Sequence, residues 1–215
     1  MRVAVFSDVH ANLIALEQFV RSTKDVVDEY LCLGDVVNYG PWNDECIDVV
    51  MNLPGITILE GNHERLFLGT DDVTREIPLV QDFFHHSNTF FSNRDLISDL
   101  PKQCQLGQFE CIHSLGDYSI YPNTSIDITC NHMIGHSHHQ FKSEHSGYML
   151  VNPGSIGQNR KWIDMLDYLV IDLESQEIQM QSKPYDFNLF LSELYQRHYP
   201  KNCIAYYANK PRINS

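Results

Sequence analysis

Five apolar segments of this chain share one feature: each ends in a side chain that can bind a metal ion. They are residues 3–8 (VAVFSD), 30–35 (YLCLGD), 56–62 (ITILEGN), 109–113 (FECIH) and 128–136 (ITCNHMIGH). Apolar runs of this length, bounded by glycine and polar residues, are typical of buried strands. The pattern predicts a sheet-based fold in which Asp8, Asp35, Asn62, His113 and His136 follow strand ends.

Helix-like segments separate the first three of these strands. Residues 12–22 and 43–53 repeat apolar side chains at helical spacing, and Asn12 is a suitable N-cap for the first helix. Alternating strands and helices predict a parallel sheet with crossover helices, in which ligands collect beyond the carboxyl ends of the strands. Helices are also predicted within residues 76–100 and 186–199. Three later segments are predicted as strands of a second sheet, namely residues 148–155, 167–173 and 177–183.

Two short motifs add ligands to the strand-end positions. Asp8 and His10 form D-x-H, and His136 and His138 form H-x-H. In an extended chain, residues two apart point to the same side, so each pair can offer two ligands to one site. The third histidine of this cluster, His139, then points away.

Composition narrows the class of partner and the compartment. The net charge is −13, from 28 acidic and 15 basic residues, which disfavours nucleic acids and anionic membranes as partners. The six cysteines include no C-x-x-C pair, and we interpret them as reduced thiols of a cytoplasmic protein. No apolar segment is long enough for a membrane span, and the N-terminal apolar run is too short for a signal peptide.

The candidate ligands combine oxygen and imidazole donors without a thiolate. The full set is Asp8, His10, Asp35, Asn62, His113, His136 and His138. Such a set suits Mn, Fe, Zn or Ni better than a structural zinc finger or a calcium loop. Seven groups exceed the needs of one ion, whereas two ions that share a bridging carboxylate would use them all.

Five ordered motifs resemble those of the calcineurin-like metallophosphoesterases. They are DVH at 8–10, GD at 34–35, GNHE at 61–64, a histidine at 113 and GHSH at 135–138. The segment 151–160 (VNPGSIGQNR) is similar to one found in the small bacterial and archaeal phosphodiesterases of this family. The resemblance covers about residues 1–183 and leaves a C-terminal helical tail, residues 184–215, within one domain of residues 1–215.

The family implies an α/β fold, specifically a four-layer α-β-β-α sandwich of two mixed sheets flanked by helices. It also implies a dinuclear site for two divalent transition-metal ions, with manganese as the first expectation. By this resemblance, one ion is held by Asp8, His10, Asp35 and His138, and the other by Asp35, Asn62, His113 and His136.

The resemblance further implies hydrolysis of a small phosphodiester or phosphomonoester by a hydroxide that bridges the two ions. His63, next to Asn62, is the expected catalytic residue, which stabilises phosphoryl oxygens or protonates the departing alkoxide. Asn12 is similar to a residue that approaches the substrate phosphate in this family.

One departure from the family concerns the substrate. Phosphoprotein phosphatases and symmetrical dinucleoside tetraphosphatases carry G-D-x-V-D-R-G, where this chain has GDVVNYG at 34–40. Asn38 and Tyr39 replace the aspartate and the phosphate-binding arginine, which argues against those substrates. Arg65 and Arg160 are the two candidates to supply the missing positive charge.

Two other functions are compatible with this fold. A non-catalytic scaffold of the kind found in the retromer would show substitutions among the ligands, and this chain shows none. A DNA-repair nuclease conflicts with the net charge of −13. The sequence leaves open the natural substrate, the physiological metal, the oligomeric state and the role of the tail.

Overall fold

The computed structural model describes residues 1–116 and 118–213. The first part of the chain contains β1 (Arg2–Phe6), α1 (Leu13–Thr23), β2 (Glu29–Cys32), α2 (Asn43–Met51), β3 (Thr57–Ile58), α3 (Asn62–Leu68), a 3₁₀ turn (Val73–Arg75), α4 (Pro78–Asn88) and α5 (Arg94–Ile97). The second part contains β4 (Gln103–Leu106), β5 (Phe109–Ile112), β6 (Asn131–Met133), β7 (Gln140–His145), β8 (Tyr148–Pro153), β9 (Met165–Asp172), β10 (Ile178–Pro184), α6 (Phe187–Gln196) and α7 (Lys201–Ala208).

The first sheet has the strand order β10-β9-β1-β2-β3. Strands β1, β2 and β3 are parallel, as the alternation of apolar runs and helices predicts. The prediction that residues 167–173 and 177–183 belong to the second sheet is wrong. They form β9 and β10, and β9 pairs antiparallel with β1 through Val3 and Ile171. An apolar run identifies a buried strand, but it does not encode which neighbour completes its hydrogen bonds.

The second sheet has the order β4-β5-β6-β8-β7, with β5, β6 and β8 parallel. It packs face to face on the first sheet through a buried apolar layer that includes Val5, Leu33, Phe109, Met133 and Leu169. The predicted α/β fold of two mixed sheets with flanking helices is confirmed. The parallel strands of both sheets carry the predicted site residues at their carboxyl ends.

Helices cover the outer face of the first sheet. Helix α1 begins after Asn12, whose side chain accepts the Ala15 N–H at 3.1 Å, as the N-cap prediction requires. Helices α6 and α7 pack on the same layer, where Phe190 and Tyr207 are fully buried. In the described ranges, no helix combines the length and the hydrophobicity that crossing a bilayer requires.

The outer face of the second sheet is contacted by the segment between β5 and β6. Ile120 and Ile128 of this segment pack against Ile134, Phe141 and Leu150 of the sheet. This side of the molecule therefore has an apolar cluster of its own, separate from the core between the two sheets.

Candidate metal centre

The loops that follow the strand ends are joined by backbone hydrogen bonds. The Asp8 N–H donates to the Gly34 carbonyl and the His10 N–H donates to the Asp35 carbonyl, both at 3.0 Å. In the second sheet, the Gly135 N–H donates to the His113 carbonyl at 2.9 Å. These contacts hold the carboxyl ends of β1, β2, β5 and β6 side by side, so the predicted ligands meet at one edge.

A first cluster contains Asp8, His10 and His138. The Oδ1 atom of Asp8 lies 3.3 Å from Nε2 of His138 and 3.8 Å from Nε2 of His10. The Nε2 atoms of the two histidines are 3.1 Å apart, and Asp35 Oδ2 lies 4.0 Å from Nε2 of His10. Asp8, His10 and Asp35 are at most 1 % exposed, so these atoms are shielded from bulk water.

A second cluster contains Asp35, His113 and His136, with Asn62 beside them. Asp35 Oδ2 lies 3.2 Å from His113 Nε2. The Asn62 Oδ1 atom is 3.0 Å from the same nitrogen and 2.9 Å from His136 Nδ1. Asp35 contacts both clusters, which is the position that a bridging carboxylate requires.

The tautomers of three histidines direct unprotonated nitrogens into the centre. The Nδ1 atoms of His10, His113 and His138 face the backbone carbonyls of Val37, Leu33 and Gln158 at 3.2, 2.8 and 3.1 Å. Each Nδ1 must therefore carry a proton and donate it, so that in the neutral form of each ring the Nε2 lone pair is directed inward. The Asp8 Oδ1 atom has no hydrogen-bond partner among the described residues. Converging lone pairs and a buried carboxylate oxygen without a donor fit a cation.

The electrostatics of the centre also favour a bound cation. Burial holds the pKa of His10 well below its usual value, so this ring is neutral. Burial opposes the charge of His113, but Asp35 raises its pKa to about 9, whereas burial and His113 lower that of His136 to about 4. Burial and the Asp35 charge raise the pKa of Asp8. Without a metal, protons on His113 and Asp8 therefore offset the crowded negative charge.

The backbone at the ligands differs from the extended conformation assumed for D-x-H and H-x-H. Asp8, His10, Asp35, His136 and His138 all have positive φ, between 49° and 64°. The pairs do face one site, but they do so through left-handed turns. Such a conformation costs roughly 1 kcal/mol or more per residue and concentrates at functional sites. Five strained residues around one centre therefore indicate a functional constraint.

Sequence reasoning missed Glu64, which positions the Asp35 loop. This buried carboxylate accepts the N–H groups of Asp35 and Gly61 at 2.8 and 2.9 Å, and those of Val36 and Val37 at 2.8 and 3.3 Å. A Cβ on Gly61 would lie 2.2 Å from Asp35 Oδ1, so only glycine fits between the two loops. The GNHE motif thus supplies the close approach and the carboxylate that fix the central ligand.

The segment 152–158 braces the ligand loops from the other side. The Asn152 amide donates to the Gly135 carbonyl at 2.7 Å, and the Ser155 hydroxyl donates to the Asp8 carbonyl at 2.7 Å. The Gly157 N–H also donates to the Asp8 carbonyl, at 3.0 Å. Chemistry alone predicts only a turn for NPGS. The structure gives this segment the role of holding the loops of Asp8 and His136 in place.

His63 is oriented by Asn38, the residue that replaces the family aspartate. The Asn38 Oδ1 atom accepts the Tyr39 N–H at 2.8 Å, which identifies Nδ2 as the atom 2.9 Å from His63 Nδ1. Because that amide donates, Nδ1 of His63 accepts and Nε2 carries the proton. Nε2 lies 3.9 Å from Asp35 Oδ2, so the N–H group is directed toward the centre. Burial lowers the pKa of His63, which keeps the ring neutral.

Two other predicted residues have contacts within the protein. The Asn12 amide donates to the Gly157 carbonyl at 3.2 Å and to the Tyr185 hydroxyl at 3.1 Å, while its oxygen caps α1. These contacts use both ends of a fully buried side chain. His139 Nδ1 lies 2.8 Å from the Ser137 carbonyl, and the ring lies against Tyr121. As expected, His139 belongs to neither ligand cluster.

The structure distinguishes the two candidate arginines. Arg65 is neutralised by Asp71 at 2.8 Å and Glu60 at 3.9 Å. Arg160 has no carboxylate partner within 4.0 Å in the described part of the chain, and it donates to the Tyr206 hydroxyl at 2.6 Å. Its charge lowers the pKa of His10, His63, His136 and His138. Arg160 is therefore the arginine with an unneutralised charge beside the centre.

The fold and the centre define a class: an α/β sandwich that holds candidate ligands for divalent metals at the carboxyl ends of its strands. The family model for the calcineurin-like phosphoesterase superfamily domain matches residues 1–176. The chain belongs to this superfamily, whose members bind divalent metals and are generally hydrolases.

Three known proteins illustrate the relationship. An uncharacterized protein of Methanocaldococcus jannaschii is 24% identical over an alignment 231 residues long. The alignment covers 93% of this chain and 94% of that protein. The crystal structure of a metallophosphoesterase from Sphaerobacter thermophilus superimposes with a TM-score of 0.79 at 24% identity, covering 97% and 98% of the two chains. The crystal structure of a hypothetical protein from Pyrococcus horikoshii superimposes with a TM-score of 0.83 at 16% identity, covering 95% of this chain and 96% of that chain. The fold thus extends over nearly the whole chain.

We expect metal binding to release protons and to tighten as the pH rises. With pKa values raised to about 9 and about 7, His113 holds a proton and Asp8 is partly protonated in the metal-free protein at neutral pH. Metal binding removes these protons. For each proton released, the apparent affinity for the metal rises about tenfold per pH unit, up to the pKa that the ligand has in the metal-free protein. Calorimetric titration of chelator-stripped protein with Mn²⁺, in buffers of different protonation enthalpy, counts the protons. His139→Ala should leave this count unchanged. An affinity independent of pH would contradict the expectation.

Proposed function

We propose that this chain is a metal-dependent phosphoesterase that hydrolyses a small phosphodiester or phosphomonoester at a centre of two divalent ions. The observation that carries this proposal is the convergence of buried lone pairs in two adjacent clusters, with Asp35 in the second and its Oδ2 atom 4.0 Å from His10 Nε2 of the first. Asp8 Oδ1 has no donor, and the inward nitrogens of His10 and His138 lie 3.1 Å apart, which is unfavourable without a cation.

Each ion would have four protein ligands. Those of the first are Asp8, His10, Asp35 and His138, and those of the second are Asp35, Asn62, His113 and His136. The oxygen and imidazole donors suit Mn, Fe, Zn or Ni, and manganese is the first to test. When bound, two such ions neutralise phosphate charge and make hydroxide available near neutral pH.

His63 would act on the substrate directly. Its Nε2–H group is directed toward the centre and its ring is held neutral, as described above. A neutral imidazole with this tautomer can donate a hydrogen bond to a phosphoryl oxygen or a proton to the departing alkoxide. The ring packs edge-on against Tyr39 at 5.1 Å and His10 at 5.0 Å, which limits its motion.

Arg160 would bind the substrate phosphate. Among the two candidates it is the arginine without a carboxylate partner, and its hydrogen bond to Tyr206 fixes the guanidinium from the C-terminal helix. A guanidinium can form two parallel hydrogen bonds to phosphate oxygens. Tyr206 in turn donates to Gln158 Oε1 at 3.0 Å, which links the tail to the segment that braces Asp8.

We expect Arg160→Ala to raise KM about 10- to 100-fold, because a hydrogen bond to a charged group contributes roughly 1.5–3 kcal/mol. Arg65→Ala is the matched control, since Glu60 and Asp71 already neutralise that arginine. Steady-state kinetics on a chromogenic phosphodiester measure both variants. An equal loss in the two variants, or a loss only in Arg65→Ala, would contradict the role of Arg160.

The direct test of the function is hydrolysis of a bis-aryl phosphodiester and of an aryl phosphomonoester by chelator-stripped protein. We expect turnover of at least one of the two after addition of Mn²⁺ and none in its absence. Asp48→Asn, at an exposed carboxylate of α2 outside both ligand clusters, should behave as the unmodified protein. Failure of both substrates with protein that demonstrably binds two Mn²⁺ ions would count against the proposed activity.

A further inference from the structure

A second group of potential metal ligands lies outside the centre described above. It consists of Glu110, Cys130 and His132, whose ligand atoms lie within 4.8 Å of one another. Glu110 of β5 and His132 of β6 are direct partners in the parallel register, so their side chains leave the same face of the second sheet. Cys130 precedes His132 by two residues and reaches the same face from the end of the segment that enters β6.

The two separations from the Cys130 sulfur are close to those of a tetrahedral metal site. Cys130 Sγ lies 3.4 Å from His132 Nε2 and 3.8 Å from Glu110 Oε2. For metal–ligand bonds of about 2.0–2.3 Å, two ligands of a tetrahedral zinc ion are about 3.5 Å apart. The three side chains can therefore bind one ion with small adjustments of their torsion angles.

His132 provides an independent reason to place a cation here. The residue is only 7 % exposed, and its Nδ1 atom has no hydrogen-bond partner in the described part of the chain. Its Nε2 atom faces only the sulfur of Cys130, and a thiol is a weak partner for a buried imidazole. A buried Nε2 atom with only this weak partner is poorly satisfied, and a cation bound there would satisfy it, with the ring proton on Nδ1.

The geometry disfavours the alternative use of this group as a nucleophilic triad. In such a triad the acid contacts the imidazole and the imidazole contacts the thiol. Here Glu110 lies against the sulfur instead, where its negative charge opposes formation of a reactive thiolate. A divalent cation removes this conflict, because it is attracted to the thiolate and to the carboxylate together.

We infer that Glu110, Cys130 and His132 form a mononuclear site for a thiophilic divalent ion, Zn²⁺, separate from the proposed dinuclear centre. The Cys130 thiol loses its proton to solvent as the sulfur–metal bond forms, and a water molecule completes the coordination. The site joins β5, β6 and the end of the segment 118–130. Its role is to fix this segment on the outer face of the second sheet.

Cobalt(II) tests this site separately from the dinuclear centre, because only a thiolate ligand gives sulfur-to-cobalt charge-transfer absorption in the near ultraviolet. The ligands of the dinuclear centre include no sulfur. We expect titration of the full-length, chelator-stripped protein with Co²⁺ to produce this band, and Zn²⁺ to displace it. Cys130→Ser should abolish the band, and Glu110→Gln should weaken it. Cys104→Ser is the matched control, at a half-buried thiol on a neighbouring strand, and should retain it.

Two further measurements keep the outcome interpretable. Asp35→Asn, in the proposed dinuclear centre, should keep the charge-transfer band. The test of the Glu110–Cys130–His132 site therefore does not depend on the proposed phosphoesterase activity. Circular dichroism of Cys130→Ser establishes that the variant is folded. Absence of the band in the unmodified protein, or its persistence in folded Cys130→Ser, would overturn the inference.

Discussion

Replacing Asp35 by asparagine is expected to reduce phosphoester hydrolysis by about 10³-fold or more while leaving the fold intact. Asp35 contacts both ligand clusters, and it is the carboxylate that both ions would share. Losing its charge removes several kcal/mol of electrostatic stabilisation, and each 1.4 kcal/mol corresponds to a factor of ten in rate. Asparagine keeps the shape of the side chain and an oxygen that can accept the backbone N–H of His63, which donates to Asp35 Oδ1 at 2.9 Å.

The metal content of this variant distinguishes bridging from a ligand to one ion only. We expect Asp35→Asn to bind both Mn²⁺ ions more weakly, as measured by equilibrium dialysis and metal analysis. A variant that loses one ion and keeps the other at full affinity would show that Asp35 is not shared. Thermal unfolding of the metal-free proteins provides the control, since Asp35→Asn should remain a cooperatively folded protein.

The second large effect is expected for His63→Ala, which should retain both ions and lose about 10²- to 10⁴-fold in turnover. The expectation follows from its protonated Nε2, which is directed into the centre, and from the hydrogen bond that Asn38 donates to its Nδ1. His139→Ala is the matched control, because this histidine lies near the centre in sequence but contacts Ser137 instead.

One observation makes the test of His63 discriminating. The histidine also lies within ligand distance of His10 and Asp35, so the geometry permits a role as a metal ligand. Loss of metal from His63→Ala, in parallel with the loss of turnover, would contradict its assignment as a catalytic residue. Asn38→Ala should give a smaller loss in kcat, with metal content unchanged, because it removes only the orienting hydrogen bond.

Much of the site could be predicted from the sequence because its chemistry is local. The ligand types stand at the ends of apolar runs, and parallel strands necessarily bring those ends to one edge of a sheet. This rule predicts that Asp8, Asp35 and His113 lie together as candidate ligands. The N-cap at Asn12 follows from equally local rules, since capping involves residues three positions apart.

Features that depend on distant contacts were missed or assigned differently. In the sequence, Glu64 is indistinguishable from an ordinary helix residue. Only the tertiary structure brings its carboxylate to the backbone amides of Asp35 and Val36. His132 reads as a packing residue, although its strand partner and a neighbouring thiol make it a candidate ligand. The contacts of Glu64 with these amides and the pairing of His132 with Glu110 join positions 22 to 29 residues apart, a separation at which spacing rules carry no information.

The sequence by itself determined the family, the donor types of the candidate metal centre and the parallel order of the first three strands. The tertiary structure alone decided the left-handed backbone at the candidate ligands, the neutralisation of Arg65 by carboxylates and the pairing of β9 with β1. The physical reason is that residue type and periodicity act within a few positions along the chain. Strain, charge neutralisation and strand partnership are settled by neighbours that only folding brings into contact.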